Sequence, residues 1–147
     1  MEEHLLDIAV HSTVFSVPPC LSGELRLEDA MNIDFEKMQG LVPAIIQDGS
    51  NGEILMLGFM NYEAWKQTQS LGYVTFYSRT RNQLWTKGET SGNRLKVISV
   101  STDCDADTLL IQVEVEGAGV VCHEGTRSCF TKAIKLGDTP VVAEIVR

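Results

Sequence analysis

The 147-residue sequence contains no apolar run near the ~18 residues that a membrane span needs. It has four prolines, 7% aromatic residues, no internal repeat and no low-complexity tract. Collagen-like, mucin-like and wholly disordered chains are therefore excluded on composition. Basic residues are missing from the first turns, where Glu2 and Glu3 stand in place of a leader's positive region. The expected compartment is accordingly the reducing cytoplasm, with no membrane partner. The four cysteines form no CxxC pair, which argues against a zinc ribbon or finger. In a reducing compartment they are expected to be ligands, catalysts or buried packing groups rather than disulfides. Four further features are present: 44% apolar residues, 22% charged residues, a strongly uneven charge and three unusual motifs. A chain of this length can bury a core without disulfides.

Residues 1–36 hold eight acids (Glu2, Glu3, Asp7, Glu24, Glu28, Asp29, Asp34, Glu36) and one base, Arg26. That is −7 of the net −8, so the remaining 111 residues are nearly neutral. Within them, Arg79, Arg81, Lys87, Arg94 and Lys96 face a single acid, Glu89, across residues 79–96. A local excess of this size suits a small anionic ligand. It is too small for a nucleic-acid track, and no nucleic-acid partner is expected.

The chain divides into an acidic N-terminal extension, residues 1–36, and one domain over 37–147. Glu24–Phe35 is a weakly amphipathic helix candidate. Leu41–Gln47 and Glu53–Met60 read as strands joined at Asp48-Gly49-Ser50-Asn51-Gly52, a hairpin. Asn61 is a good N-cap for a helix ending near Leu71 at Gly72, with Glu63 at its positive end. Tyr73–Ser78 and Leu95–Ser101 are strands by content, whereas Arg79–Asn93 is polar and glycine-bearing. Thr108–Glu116 alternates apolar and polar residues, the pattern of a half-buried strand. Val120–Val121 begins a short strand, and a last helix or strand is expected within Thr131–Arg147. The class is α+β, strand-dominated.

Asp103-Cys104-Asp105-Ala106-Asp107 is the most unusual segment. If extended, it places three carboxylates on one face and Cys104 on the other. Their mutual repulsion favours a bound hard cation such as Mg²⁺ or Ca²⁺. An EF-hand loop is rejected, because Thr108 stands where the sharp turn needs glycine. Cys122-His123-Glu124-Gly125-Thr126-Arg127-Ser128-Cys129 packs two thiols, an imidazole and a guanidinium into eight positions. Cys104, Cys122 and Cys129 could ligate zinc with an open fourth position, which is a catalytic arrangement. Buried packing cysteines are the plainer alternative. Cys20, in the extension, is read as a free thiol. His123 is a candidate general base, ligand or hydrogen-bonded structural residue.

Phe76–Asn93, FYSRTRNQLWTKGETSGN, has the composition of a nucleotide pocket. Its candidate substrate-binding residues are Arg79, Arg81, Trp85, Lys87, Glu89 and Ser91. With DCDADTLL (103–110), CHEGTRSCF (122–130) and LGFMNYEAW (57–65), it closely resembles the phosphoribosyl-AMP cyclohydrolase family of histidine biosynthesis. The resemblance covers about residues 38–130. It implies a zinc- and magnesium-dependent hydrolase built as an intertwined homodimer. Cys104 of one subunit would join Cys122 and Cys129 of the other around zinc. Asp103, Asp105 and Asp107 would bind Mg²⁺. Zinc-activated water would attack C6 of the N1-phosphoribosylated adenine, and the N1–C6 bond would open. Three thiolates weaken zinc's lowering of the water pKa, so help from His123 is expected. Glu124 and Val121 depart from the family's usual Thr and Ala. Only 17 residues follow Phe130, so a fused second catalytic domain is not expected. Two other readings stay open at this level: a non-catalytic zinc-clasped dimer, and another zinc hydrolase of a modified purine nucleotide. For a deaminase, the H-x-E…P-C-x-x-C signature is absent.

Overall fold

A computed structural model describes residues 33–134 and residue 137. These form a strand-dominated α+β domain with one helix. The expected hairpin is present as β1 (Val42–Asp48) and β2 (Ile54–Met60), paired antiparallel. Buried residues alternate along β1, with Val42, Ala44, Ile46 and Asp48 facing inward. Pro43, which has no N–H to donate, lies one residue before the ladder to β6 begins at Ala44.

Helix α1 (Tyr62–Leu71) has the predicted ends. The Asn61 side chain accepts from the Ala64 N–H at 2.9 Å. Gly72 closes the helix at φ +70°, a conformation that favours glycine. Thr68 Oγ1 donates to Ala64 O at 2.9 Å and accepts from the Thr75 N–H at 2.9 Å, which fastens the helix to the next strand. That strand, β3 (Thr75–Ser78), pairs antiparallel with β4 (Gln83–Thr86). The polar stretch after Ser78 therefore contains a strand that the sequence pattern hid.

The chain continues through β5 (Leu95–Thr102) and β6 (Leu109–Val115). The main sheet runs β2-β1-β6-β5, with β1 and β6 parallel and the other pairs antiparallel. β6 shows the expected alternation: Leu109, Ile111 and Val113 are buried and Glu114 is exposed. The core joins these strands to Leu55, Met60, Trp65, Val74, Phe76 and Val121, and Ile33 and Phe35 pack at its margin. A Cβ at Gly58 would lie 2.4 Å from the Phe76 ring, so this glycine lets the ring rest on β2. A buried phenylalanine is worth about 3–5 kcal/mol over alanine.

Two expectations differ from the structure. Val120–Val121 is not a strand: the Val121 N–H turns back to Thr126 O at 3.2 Å. The 103–107 segment is a turn rather than extended, with Ala106 at φ +60°. The helix expected over Glu24–Phe35 falls outside the described residues except for 33–35, which are not helical. In the expected terminal element, residues 131–134 have no regular structure and the rest, apart from residue 137, lies outside the described residues. No helix among the described residues is long and apolar enough to cross a membrane.

Candidate active site

The 121–130 loop is sewn to the outer edge of β2. The Cys129 N–H donates to Leu55 O at 2.8 Å, and Ser128 Oγ donates to Ile54 O at 2.8 Å. Inside the loop, the Cys122 N–H and Val121 N–H both reach Thr126 O, at 2.9 and 3.2 Å. Arg127 spans to the β1–β2 turn: its Nε donates to Glu53 Oε2 at 2.8 Å and its second nitrogen pairs with Asp48. Asp48 is only 5% exposed. Burial opposes its ionised form, but the Ser50 hydroxyl and N–H, with the Arg127 charge, outweigh this and hold its pKa below the ordinary carboxylate value.

The loop presents two thiols to each other. Cys122 is buried, and Cys129 and His123 are exposed. The neighbouring Glu124 backbone N–H first, then the Thr126 and Cys129 side chains, favour the charged Cys122 sulfur and lower its pKa despite burial. Cys129 shifts upward, first through burial and then through its neighbour Cys122. His123 Nδ1 lies 3.9 Å from Cys122 Sγ. Burial lowers the Lys87 pKa, while the adjacent Cys129 and Cys122 act to raise it, so this ammonium stands beside the thiol pair. Two soft sulfur donors, of which Cys122 is the one shifted toward thiolate, suit zinc in type, but a zinc site takes at least three protein ligands. Cys104 does not supply the third within one chain. Among the described residues, the sole group of three or more closely placed ligands is Asp103, Asp105 and Asp107.

Those three carboxylates offer oxygens within 4.8 Å of one another, although the segment is turned rather than extended. Asp103 closes the turn: its Oδ1 accepts the N–H groups of Asp107 and Thr108, each at 3.1 Å. Burial works against its charge, yet these donors bring its pKa down. The Lys37 ammonium bonds Asp105 and lies 2.9 Å from Asp107 Oδ2. The bonds to Asp105 and then Asp107 raise the Lys37 pKa. A cation is thus already drawn into an all-oxygen donor set, the kind that fits hard divalent ions.

The candidate substrate residues do not form one cluster. Arg79 and Arg81 sit at the tip of the β3–β4 hairpin, and Lys87 follows its base, about 13 Å or more away at ~3.3 Å per residue. The Arg79 guanidinium lies 3.9 Å from the centre of the Phe59 ring. Trp85 is 42% exposed, with its ring centre 5.7 Å from that of Phe76 and the Lys87 ammonium over the ring at 5.8 Å. Glu89 and Ser91 are exposed on the loop after Lys87. Gly88 shapes that loop: at φ +80°, a Cβ there would lie 2.1 Å from Asn93 O. Sequence reasoning missed Arg127, Asp48 and Lys37. Arg127 was legible only as a basic residue between two cysteines, and Asp48 only as the start of a turn.

A thiol loop and a carboxylate turn are carried by one small α+β domain beside a cationic hairpin, donor groups of the types that metal ions and phosphates take. The family model described as Phosphoribosyl-AMP cyclohydrolase matches residues 56–131. The phosphoribosyl-AMP cyclohydrolase of Solibacter usitatus is 52% identical over 111 residues, covering 76% of this chain and 87% of that protein. That of Desulfatibacillum aliphaticivorans is 52% identical over 116 residues, covering 79% and 92%. The histidine biosynthesis bifunctional protein HisIE of Bacteroides thetaiotaomicron is 61% identical over 100 residues, 68% of this chain and 48% of that protein. The chain therefore spans about half the length of such bifunctional relatives. It belongs to the phosphoribosyl-AMP cyclohydrolase family.

Proposed function

We propose that the chain hydrolyses the N1–C6 bond of the adenine ring of 1-(5-phosphoribosyl)-AMP, giving the formimino aminoimidazole carboxamide ribotide of histidine biosynthesis. The observation that carries this reading is the Cys122–Cys129 thiol pair, docked on β2 within the matched segment. Residues 1–36 are read as an extension of the catalytic domain, 37–147.

Cys122 and Cys129 of one subunit and Cys104 of a second would hold zinc. The failure of Cys104 to join the pair within one chain supports sharing between two. So do exposed apolar groups on and beside the loop-bearing edge: Ile54, Leu57, Phe130 and Ile134. An intertwined homodimer would cover them. Zinc held there supplies Lewis-acid activation of water, lowering its pKa towards ~7. His123 accepts the proton released as water adds to C6, and the C6–N1 bond then opens. Lys87 offsets the thiolate charge that would otherwise weaken that activation. Asp103, Asp105 and Asp107 would hold Mg²⁺ for the substrate's phosphates. Arg79 and Arg81 bind phosphate at the hairpin tip, Trp85 stacks on the base, and Glu89 and Ser91 offer polar contacts.

The test is incubation with phosphoribosyl-AMP, following product absorbance, with chelation and zinc restoration. Activity is expected to vanish on chelation and return with zinc, without ammonia release. Turnover that survives complete removal of zinc overturns the reading.

A further inference from the structure

We propose that Lys37 is a tethered cation that competes with divalent metal for the acidic turn and so sets how tightly that ion is held. The proposal rests on the reading of Asp103, Asp105 and Asp107 as a metal site. The ammonium takes oxygens from two of the three carboxylates, bonding Asp105 Oδ2 and lying 2.9 Å from Asp107 Oδ2. Asp103 Oδ1 is already committed to two backbone N–H groups.

Backbone contacts fix the lysine in place. The Asp34 N–H donates to Ala106 O at 2.7 Å, within the acidic turn itself. Asp34 Oδ1 in return accepts the Lys37 N–H at 3.0 Å. The side chain therefore starts from a backbone already bound to its target, which cuts the entropy cost of seating it. Its length lets the head withdraw into water, since the lysine side chain is 41% exposed.

A divalent ion ligated by Asp105 and Asp107 meets a like charge at the Lys37 ammonium, which opposes their holding the same carboxylates together. Entry of the metal expels the lysine head: one charged ligand leaves and one arrives, with no proton or electron moved. A monovalent ion, no more highly charged than ammonium, gains little by the exchange, so the latch favours divalent ions. Apparent affinity is reduced by the fraction of turns in which the head has withdrawn. The pair is exposed, so the effect is modest, about three- to tenfold.

The experiment measures Mn²⁺ binding by electron paramagnetic resonance on the full chain, the Lys37→Met variant and the Asp105→Asn/Asp107→Asn variant. Lys37→Met is expected to bind Mn²⁺ about three- to tenfold more tightly, and the double variant to lose the site. Equal or weaker binding by Lys37→Met, with the double variant still deficient, overturns the role of Lys37 alone. Undiminished binding by the double variant overturns the metal site itself, and the latch with it. On the unaltered chain, nitrogen NMR of the Lys37 ammonium during Mg²⁺ titration gives a check that needs no variant. Its paired signal is expected to fall in step with bound Mg²⁺, and persistence at saturation overturns the proposal.

Discussion

The loop over 122–129 is held by other parts of the fold, whereas the turn over 103–107 is held mainly by itself. The first hangs from backbone carbonyls of Ile54 and Leu55 and is clamped through Arg127 to Asp48 and Glu53. The second closes on its own Asp103 side chain, and its outside ties are to the Lys37 segment. The difference matches the two tasks proposed for them. Thiol ligands around a reacting water need fixed geometry, while a turn that exchanges one cation for another gains from a loose, exposed setting.

Three predictions bear on this contrast. The largest concerns His123, on the exposed side of the rigid loop. His123→Ala is expected to lower kcat by about 10²-fold or more while zinc content stays intact, measured by steady-state kinetics and metal analysis. Full activity in that variant removes His123 from the mechanism. Next, Arg127→Ala is expected to weaken zinc binding about 10–100-fold, as loss of a supporting contact does. Chelator competition measures this, and Mn²⁺ affinity at the acidic turn should not change. Parallel loss at both places would erase the distinction between the two loops.

The smallest effect is on pH dependence. Asp48 has a folded pKa below its usual value, so its contribution to stability is present above the ordinary carboxylate pKa of ~3.9. That contribution is lost as pH falls through the lower, folded value. Urea midpoints are therefore expected to drop in acid for the parent chain, and by less for Asp48→Asn, which starts lower at neutral pH. An acid limb of equal depth in both would show that the clamp does not depend on this charge.

Much of the fold was legible because its signals are local. The β1–β2 hairpin, the Asn61 cap, the Gly72 stop and the alternation of β6 each lie within a few residues of chain. β4 was hidden because Gln83-Leu84-Trp85-Thr86 is short and set among polar residues, and it is defined by its pairing with β3. Val121 shows why apolar content misleads: it is buried, yet its N–H closes a loop instead of a ladder. The acidic segment was expected to gather its carboxylates by strand alternation; a turn gathers them instead, because Asp103 caps two N–H groups. Ligand types could be read from the motifs. Their supports could not, because Arg127 meets Glu53 and Asp48 across 74 and 79 positions, and Lys37 meets Asp105 across 68. No periodic pattern encodes such pairs.

β2 is an outermost strand of the main sheet, and its sequence, ILMLGFM, is apolar throughout. An uncovered strand of that composition is a template for sticking to other molecules. The cysteine loop, by occupying the carbonyls of Ile54 and Leu55, keeps that part of the edge from pairing with another strand. The bonds that seat the loop for its proposed chemistry are thus the same ones that close this stretch of exposed edge.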